Sequence, residues 1–218
     1  LVPSAEQASR CGTRFRPPRV LPVGSNLPDA RPDRDVSRLA MGIRPAEIVL
    51  VSFAASAAGR RQEMICAAAR SVVESEHSCV LAVLGIGNAP PVGLPADVRL
   101  VHRGHLEDVD VARCLAAGDI FLAPYVDGVS TRRTALMSAL QHALPVVGTV
   151  GSRSDRVLLE SEALVAVPVD ATYKFGEATA LLASSEQERE RRGAAARALF
   201  EREFTWDRIV ERLLQQLR

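Results

Sequence analysis

Lysine is almost missing from this sequence. Lys174 is the single lysine among 27 basic residues, so nearly every positive charge is a guanidinium, and 26 acidic residues bring the formal net charge to +1. A balance that close carries no global preference for nucleic acid, and a GC-rich genome also favours arginine, so only arginine position is informative. Cysteine is scarce as well. Cys11, Cys66, Cys79 and Cys114 are scattered, without a C-x-x-C pair, and His77, His102, His105 and His142 show no metal spacing. The cysteines therefore read as reduced, small apolar residues, three of them in core segments, and no metal is expected. No apolar run approaches the length that spans a bilayer, and LVPSAEQASRCGTRFRPPR lacks the apolar stretch of a signal peptide. A cytoplasmic location is expected on those grounds. The chain opens on Leu1 and not on Met, which leads to the expectation that other sequence precedes it. No Walker loop, G-x-S-x-G elbow or H-E-x-x-H pair is present, which removes the chemistries those motifs carry.

What is present is patterned. The composition, 47% apolar and 24% charged over 218 residues, is that of one soluble domain with attachments. Short apolar, β-branched runs stand at 47–53, 79–85, 97–102, 119–125, 145–149 and 163–169, and helical periodicity fills 60–76, 107–117 and 131–143. Unbroken apolar strands alternating with helices predict a doubly wound α/β domain with a mainly parallel six-stranded sheet covered on both faces. Further helices are predicted over 172–183 and 186–203, the latter opening on the solvated face EQERERR. A last helix opens at Thr205, whose hydroxyl can cap it. Its stripe Ile209, Val210, Leu213, Leu214 and Leu217 must lie against something. The expected organisation is a linker over 1–19 with little structure, an α/β domain over 20–204 and a C-terminal helix over 205–218.

Two arginine pairs stand out. Arg132 and Arg133 follow the fourth strand, and Arg60 and Arg61 follow the first, each pair placed by periodicity in the first turn of a helix. The helix dipole disfavours cations there by about 0.3 to 1 kcal/mol unless a bound anion reverses the sign. Strand-to-helix loops line the ligand crevice of an open parallel sheet. One negatively charged ligand between the pairs accounts for both; the alternative is solvent-facing arginines, with Asp127 paired to one of them. Gly85 and Gly87 after the second strand allow close backbone approach, or form only a tight turn. Arg103, Gly104 and His105 after the third could hold a base, or be ordinary surface. Gly151, Ser152 and Arg153 open another candidate anion turn, which Ser154 as a helix cap explains equally well. Glu107, Asp108 and Asp110 contain D-x-D, but they sit where carboxylates complement a helix dipole.

In order and spacing, VLPVGSNLP (20–28), LGIG (84–87), VRLVHRGHL (98–106), CLAAGDIFLAPY (114–125), DGVSTRR (127–133), SALQHALPVVGT (138–149) and FTWDRI (204–209) resemble the carboxyl-terminal half of retaining glycosyltransferases of family 4, with the two-domain GT-B fold. The resemblance covers residues 20 to 218. It implies a nucleotide-diphosphate sugar as donor, with the base near Arg103 to His105. The diphosphate would lie between Gly59, Arg60 and Arg61 on one side and Gly128, Val129, Ser130, Thr131, Arg132 and Arg133 on the other. Arg60 falls where the family carries a phosphate-binding lysine, and Asp127-Gly128-Val129-Ser130 is similar to its Glu-Gly-Phe-Gly loop, whose acid touches the sugar. Arg60, Arg133 and the amides from Ser130 onward would stabilise the departing diphosphate without a metal or other cofactor. Ser138 stands at the family's ribose-binding glutamate, and Ala54, Ala55 and Ala143 replace other family residues.

The resemblance further implies that an amino-terminal domain binds the acceptor, so the chain alone would bind a nucleotide sugar and transfer nothing. A homodimer through the last helix and a peripheral membrane association of the parent protein are further expectations; nucleic acid is not an expected partner. The rival readings are a degenerate nucleotide-sugar-binding or structural module, favoured by Ala54, Ala55 and Ser138, and another GT-B enzyme such as a sugar-nucleotide epimerase or phosphorylase.

Overall fold

A computed structural model describes residues 2–10, 20–30, 32–54, 58–85 and 90–217. Strands β1 (Ile48–Phe53), β2 (Cys79–Leu84), β3 (Arg99–Arg103), β4 (Ile120–Ala123), β5 (Val146–Val150) and β6 (Leu164–Pro168) form one sheet in the order β3-β2-β1-β4-β5-β6. Every pairing is parallel. The architecture is the doubly wound α/β sheet that the alternating runs predict, and each strand lies within two residues of its apolar run. The strand order reverses between β1 and β4, where Leu50 pairs with Ile120 and Val51 with Phe121.

Period-two alternation divides the core between the two faces. Val49, Val51, Val80, Ala82, Phe121 and Ala123 point to one side, with Leu115 of α4 (Asp108–Ala116), Met137 of α5 (Thr134–Gln141) and Phe200 of α8 (Glu186–Glu203). Leu50, Leu81, Val83, Ile120 and Leu122 point to the other, with Met64 and Ala68 of α3 (Gln62–Glu74) and Phe175 of α7 (Thr172–Ala183). Cys66, Cys79 and Cys114 are buried and free, and burial pushes the Cys79 thiol up to about 12. Cys11 lies outside the described residues.

Three short helices carry too little periodicity to be read from the sequence. α1 (Ala5–Arg10) lies inside the stretch expected to be a linker with little structure, and its start is docked: the Ala5 amide donates to Asp155 Oδ1 at 3.4 Å. α2 (Arg34–Ala40) is capped by Asp33, which accepts from the Val36 amide at 2.9 Å. α6 (Arg156–Leu159) follows β5. The last helix, α9 (Trp206–Leu217), opens as expected, with Thr205 Oγ1 accepting from the Arg208 amide at 3.3 Å. Ile209 is buried while Val210, Leu214 and Leu217 are exposed. Among the described residues, no helix is long and apolar enough to cross a membrane.

The amino-terminal edge of the sheet is held by charge. The buried Arg38 guanidinium donates to the carbonyls of Ala117, Arg44, Pro45 and Glu47 and to Asp119 Oδ2 at 3.1 Å. Asp119 also accepts from the Val49 amide at 2.7 Å, tying α2, β1 and β4 together. Beside it, Glu47 accepts from the Arg44 amide and from the Arg44 and Arg99 guanidinium groups. Burial alone would raise its pKa, but these donors overcome that and hold the carboxyl at about 2. A carboxylate depressed on folding adds stability that is present above its unfolded value, near 4.5, and is lost as pH falls towards 2. Arg44 and Arg99 are partly exposed and screened, so this contribution is on the order of 2 kcal/mol. Urea unfolding between pH 5 and pH 2.5 should therefore show a slope that Glu47→Gln flattens; parallel curves for the two proteins would exclude the assignment.

Candidate functional site

The reversal of strand order opens a crevice beyond Phe53 and Ala123, the carboxyl ends of β1 and β4. The loops leaving these two strands are stitched together across it. Arg60 and Tyr125 form an antiparallel bridge, the Arg61 amide donates to Pro124 O at 2.8 Å, and the Val126 amide donates to Gly59 O at 3.0 Å. Gly59 has φ +78°, which lets the loop turn into this pairing. The pairing also corrects the helix boundaries. Neither arginine pair stands in a first helical turn: α3 begins at Gln62 with Arg61 as its N-cap, and α5 begins at Thr134 with Arg133 as its N-cap. Both N-cap residues have extended backbone; Arg61 is still paired with the β4 loop, and Arg133 ends a turn in which its amide donates to Ser130 O at 3.1 Å. Neither N-cap side chain caps its helix; the Met64 and Leu136 amides donate to the N-cap carbonyls at 3.1 and 3.0 Å.

The arginines converge on one ring. Arg60 turns inward, 7% exposed, and donates from Nη1 to Phe53 O at 2.9 Å and from Nη2 to Leu122 O at 2.8 Å. Its guanidinium carbon lies 5.6 Å from the centre of the Tyr125 ring, and that of Arg133 lies 4.3 Å from the same centre. Burial lowers the Arg60 pKa, Tyr125 opposing and Arg133 adding to the effect, yet guanidinium begins so high that the charge persists at neutral pH. Burial also raises the Tyr125 phenol, against the pull of both arginines. The Arg61 side chain points along its own helix and pairs with Glu63.

Asp127 is not paired with one arginine, as the solvent-facing alternative had it, but with several. Its carboxylate accepts from Arg132 Nη2, from Arg133 Nη2 at 2.5 Å and from Arg153 Nη1 at 3.4 Å. The adjoining backbone leaves little freedom. Gly128 has φ +91°, and a Cβ there would stand 2.2 Å from Ser154 Oγ and 2.5 Å from Gly151 N; one on Gly151 would stand 2.7 Å from Asp127 C. Ser154 does not cap α6; its hydroxyl accepts from the Gly151 amide at 3.0 Å, and Asp155 occupies the N-cap position. The Asp155 carboxylate instead accepts from the Thr131 amide at 2.7 Å and hydroxyl at 2.9 Å.

Val129, Ser130 and Thr131 are buried, and their neighbourhood uses most of its amides internally. Val129 donates to Thr149 O, Arg133 to Ser130 O and Arg132 to Ser130 Oγ. Ser138 is likewise buried, bonded to Ser25 Oγ at 3.0 Å and to Thr134 O at 3.1 Å. It anchors the segment ahead of α2 to α5. On the other flank, Gly85 has φ +105°, and a Cβ would meet Ala54 O at 2.0 Å, so the loops after β1 and β2 touch backbone to backbone. The Gly85 amide donates to Arg103 O at 3.0 Å, which brings the exposed Arg103 and His105 and the adjacent Gly104 to the same end of the sheet. Gly87 and Ala55 lie outside the described residues.

Sequence reasoning missed Tyr125 and Asp155 as organisers and left Arg153 ambiguous. An aromatic at a strand end between two arginine pairs was the available signal for Tyr125; nothing in the spacing singled out Asp155. A cavity of about 420 Å³ lies at the opposite edge, among Asp29, Asp119, Gln141, His142, Pro145 and Arg197. Its central charges answer one another, Asp119 with Arg34 and Arg38 and Asp29 with Arg197, whereas the crevice gathers several cations around one acid. Among the described residues, no three His, Cys, Asp or Glu side chains gather as a metal site. The D-x-D carboxylates Asp108 and Asp110 open α4, where Asp110 pairs with Arg113 at 2.8 Å.

No family model matches the chain, and no curated protein matches its sequence. Solved structures match its shape. Sucrose-phosphate synthase from Thermosynechococcus elongatus superimposes with a TM-score of 0.76 at 17% identity, over 99% of this chain and 57% of that one. WaaG, a glycosyltransferase involved in lipopolysaccharide biosynthesis, gives 0.73 at 19% identity, over 95% and 59%. Anabaena HepE in complex with UDP-glucose gives 0.72 at 13% identity, over 99% and 62%. These likenesses show a shared fold. The chain spans about three fifths of the length of each of these proteins.

Arg60 and Arg133 should separate in a stability experiment. Arg60→Met strands two buried carbonyls and is expected to cost about 2 to 5 kcal/mol, while Arg133→Met, at a site 24% exposed, should cost about 1 kcal/mol or less. Equal losses in urea unfolding would show that Arg60 is not the strut of the crevice.

Proposed function

We propose that the chain is the donor-binding half of a retaining glycosyltransferase of family 4 type, which holds a nucleotide-diphosphate sugar in the β1/β4 crevice. The observation that carries this reading is the convergence of two arginine-bearing loops on Tyr125, at the strand-order reversal of a fold shared with proteins such as HepE, which has been solved with UDP-glucose. Cleavage of the sugar–phosphate bond moves negative charge onto the diphosphate. A preorganised donor aimed at that charge lowers the barrier by about 3 to 4 kcal/mol. Arg133 and the uncapped first turn of α5 are placed to act so, with Arg60 holding the ring beneath them, and no metal or cofactor enters the scheme. The base would lie towards Arg103, Gly104 and His105. Transfer requires an acceptor domain beyond these residues, so the chain alone is inactive. The exposed Val210, Leu214 and Leu217 of α9 form the surface for that domain.

A binding module without transferase activity is the second reading, favoured by Ser138, which is buried against Ser25 where a ribose ligand would be needed. Calorimetric titration with UDP, GDP and ADP, each with and without magnesium, tests donor binding. Saturable binding of at least one without magnesium is expected, weakened by Arg133→Ala about ten-fold or more, the equivalent of roughly 1.4 kcal/mol. No binding at millimolar concentration by any of the three would end the donor-site proposal.

A further inference from the structure

Thr131, the residue ahead of Arg132 and Arg133, is held by three segments distant in sequence. Its amide donates to Asp155 Oδ2 at 2.7 Å, and its carbonyl accepts from the Val23 amide at 3.1 Å. Its hydroxyl lies 2.9 Å from Pro3 O and 2.9 Å from Asp155 Oδ2. Asp155 reaches the amino-terminal segment too, its Oδ1 accepting from the Ala5 amide at 3.4 Å. Residues 2–5 are thus fastened at one buried point to the loop that carries the arginines. They are seated as well: Ser4 is fully buried, Val2 pairs with Val20, and the Leu21 amide donates to Val2 O at 2.7 Å.

A hydroxyl has one proton to give, and two acceptors stand at the same distance from this one. With the proton on the side of Pro3 O, residues 2–5 are tied to the loop; with it on the side of Asp155, that tie is open and the hydroxyl is still paired. Thr131 has no donor left over for a ligand, so its effect on an anion passes through the two arginines that follow. Their amides close on the residue before it, Arg133 donating to Ser130 O at 3.1 Å and Arg132 to Ser130 Oγ at 3.4 Å.

We propose that Thr131 and Asp155 are positioning residues that couple the docking of residues 2–5 to the affinity of the crevice for a diphosphate, a role that rests on the donor reading above. With the segment docked, Thr131 is fixed from three sides, and the turn bearing Arg132 and Arg133 meets the ligand already ordered. With it released, the ligand has to order that turn as it binds. Such coupling is reciprocal: docking strengthens binding by the factor by which binding strengthens docking.

The test titrates inorganic pyrophosphate, UDP, GDP and ADP calorimetrically into the wild-type chain, Thr131→Val, Thr131→Ser and Ser4→Phe. Hydrogen exchange of residues 2–10 is followed by mass spectrometry, with and without saturating amounts of the tightest of these four ligands. Thr131→Val keeps the shape and loses the hydroxyl; it is expected to bind pyrophosphate about five-fold more weakly, the factor that roughly 1 kcal/mol produces. Thr131→Ser keeps the hydroxyl and loses the methyl, and should bind about three-fold or more tighter than Thr131→Val. The reverse order would show that packing, not the hydroxyl, matters, and overturns the proposal. Ser4→Phe changes no residue of the crevice but unseats the segment, and is expected to weaken binding by about five-fold as well, while ligand slows wild-type exchange by about that factor. Unchanged affinity in Ser4→Phe with its segment exchanging freely, or wild-type exchange that ligand does not slow, overturns the coupling. Should Thr131→Val fail to fold, Ser4→Phe and the wild-type exchange carry the test. A wild-type chain that binds none of the four ligands overturns the donor reading and this coupling with it; one that binds while the variants and the exchange stay unmoved overturns only the coupling.

Discussion

Everything at the crevice depends on one buried cation. Arg60 spans the gap where β1 and β4 part, bonding the last carbonyl of β1 and the penultimate carbonyl of β4. At such a reversal neither strand can answer the other's outward carbonyls along its full length, and a guanidinium is the side chain able to reach two acceptors in a fixed plane. Tyr125 lies under Arg60 and Arg133, so the β1 loop and the β4 loop are held at one separation by a shared ring. The placement of Arg133, and through it of Asp127 and Arg132, follows from that separation. A lysine at position 60 would carry the charge but not the fork, and its strongly hydrated ammonium would be costlier to bury.

The strands were legible because burial on both faces leaves a run of apolar, β-branched residues with nothing else to be. Val49 to Val51 and Val80 to Leu84 admit no other assignment in this context. The helix starts were not legible to the residue. Periodicity carried α3 back to Arg60 and α5 back to Thr131, whereas pairing with the β4 loop delays α3 to Gln62, and a turn from Ser130 to Arg133, with Thr131 tied to Asp155, delays α5 to Thr134. That pairing joins residues distant in sequence and leaves no local trace. The same holds for Asp155, whose role depends on Thr131 lying beside it, and for the docking of residues 2–5, which uses Asp155 and Thr131 as well. The glycines were partly legible. Gly85 was marked as a close-approach position and Gly128 as part of the loop beside the ligand, but their reason, the backbone of Ala54 and of Gly151 lying where a Cβ would be, is tertiary.

A composition with one lysine puts arginine in every role that a cation plays, and the structure separates those roles by how far each guanidinium is spent. Arg38 makes bonds to four carbonyls and to Asp119 in a buried setting and leaves only Nε unpartnered. Arg60 bonds two carbonyls and leaves Nε unpartnered. Arg133 bonds only the Asp127 carboxylate and leaves Nε unpartnered as well. The number of bonds each guanidinium makes falls from the amino-terminal edge of the sheet to the carboxyl-terminal crevice. Unspent donors near a buried ring are costly to maintain unless an anion arrives to use them. That cost is what a folded chain carries for a ligand, and it falls on the edge where the strand order reverses.

The opposite edge shows why cavity volume alone does not mark such a site. The cavity beside Asp119 and Pro145 is roomy, but its arginines are already met by carboxylates, Arg34 by Asp119, which Arg38 shares, and Arg197 by Asp29 and Glu201. A ligand there would have to break pairs already made, and the surrounding bonds of Arg38 would resist any shift of Asp119. At the crevice Arg132 and Arg133 share one acid and keep buried Nε groups without a partner, so an incoming anion gains contacts that the protein has not already satisfied. Charge supplied in excess of its internal partner, on a backbone that glycine interlocking keeps from relaxing, is therefore the physical signature that separates a receiving surface from a structural clamp in this molecule.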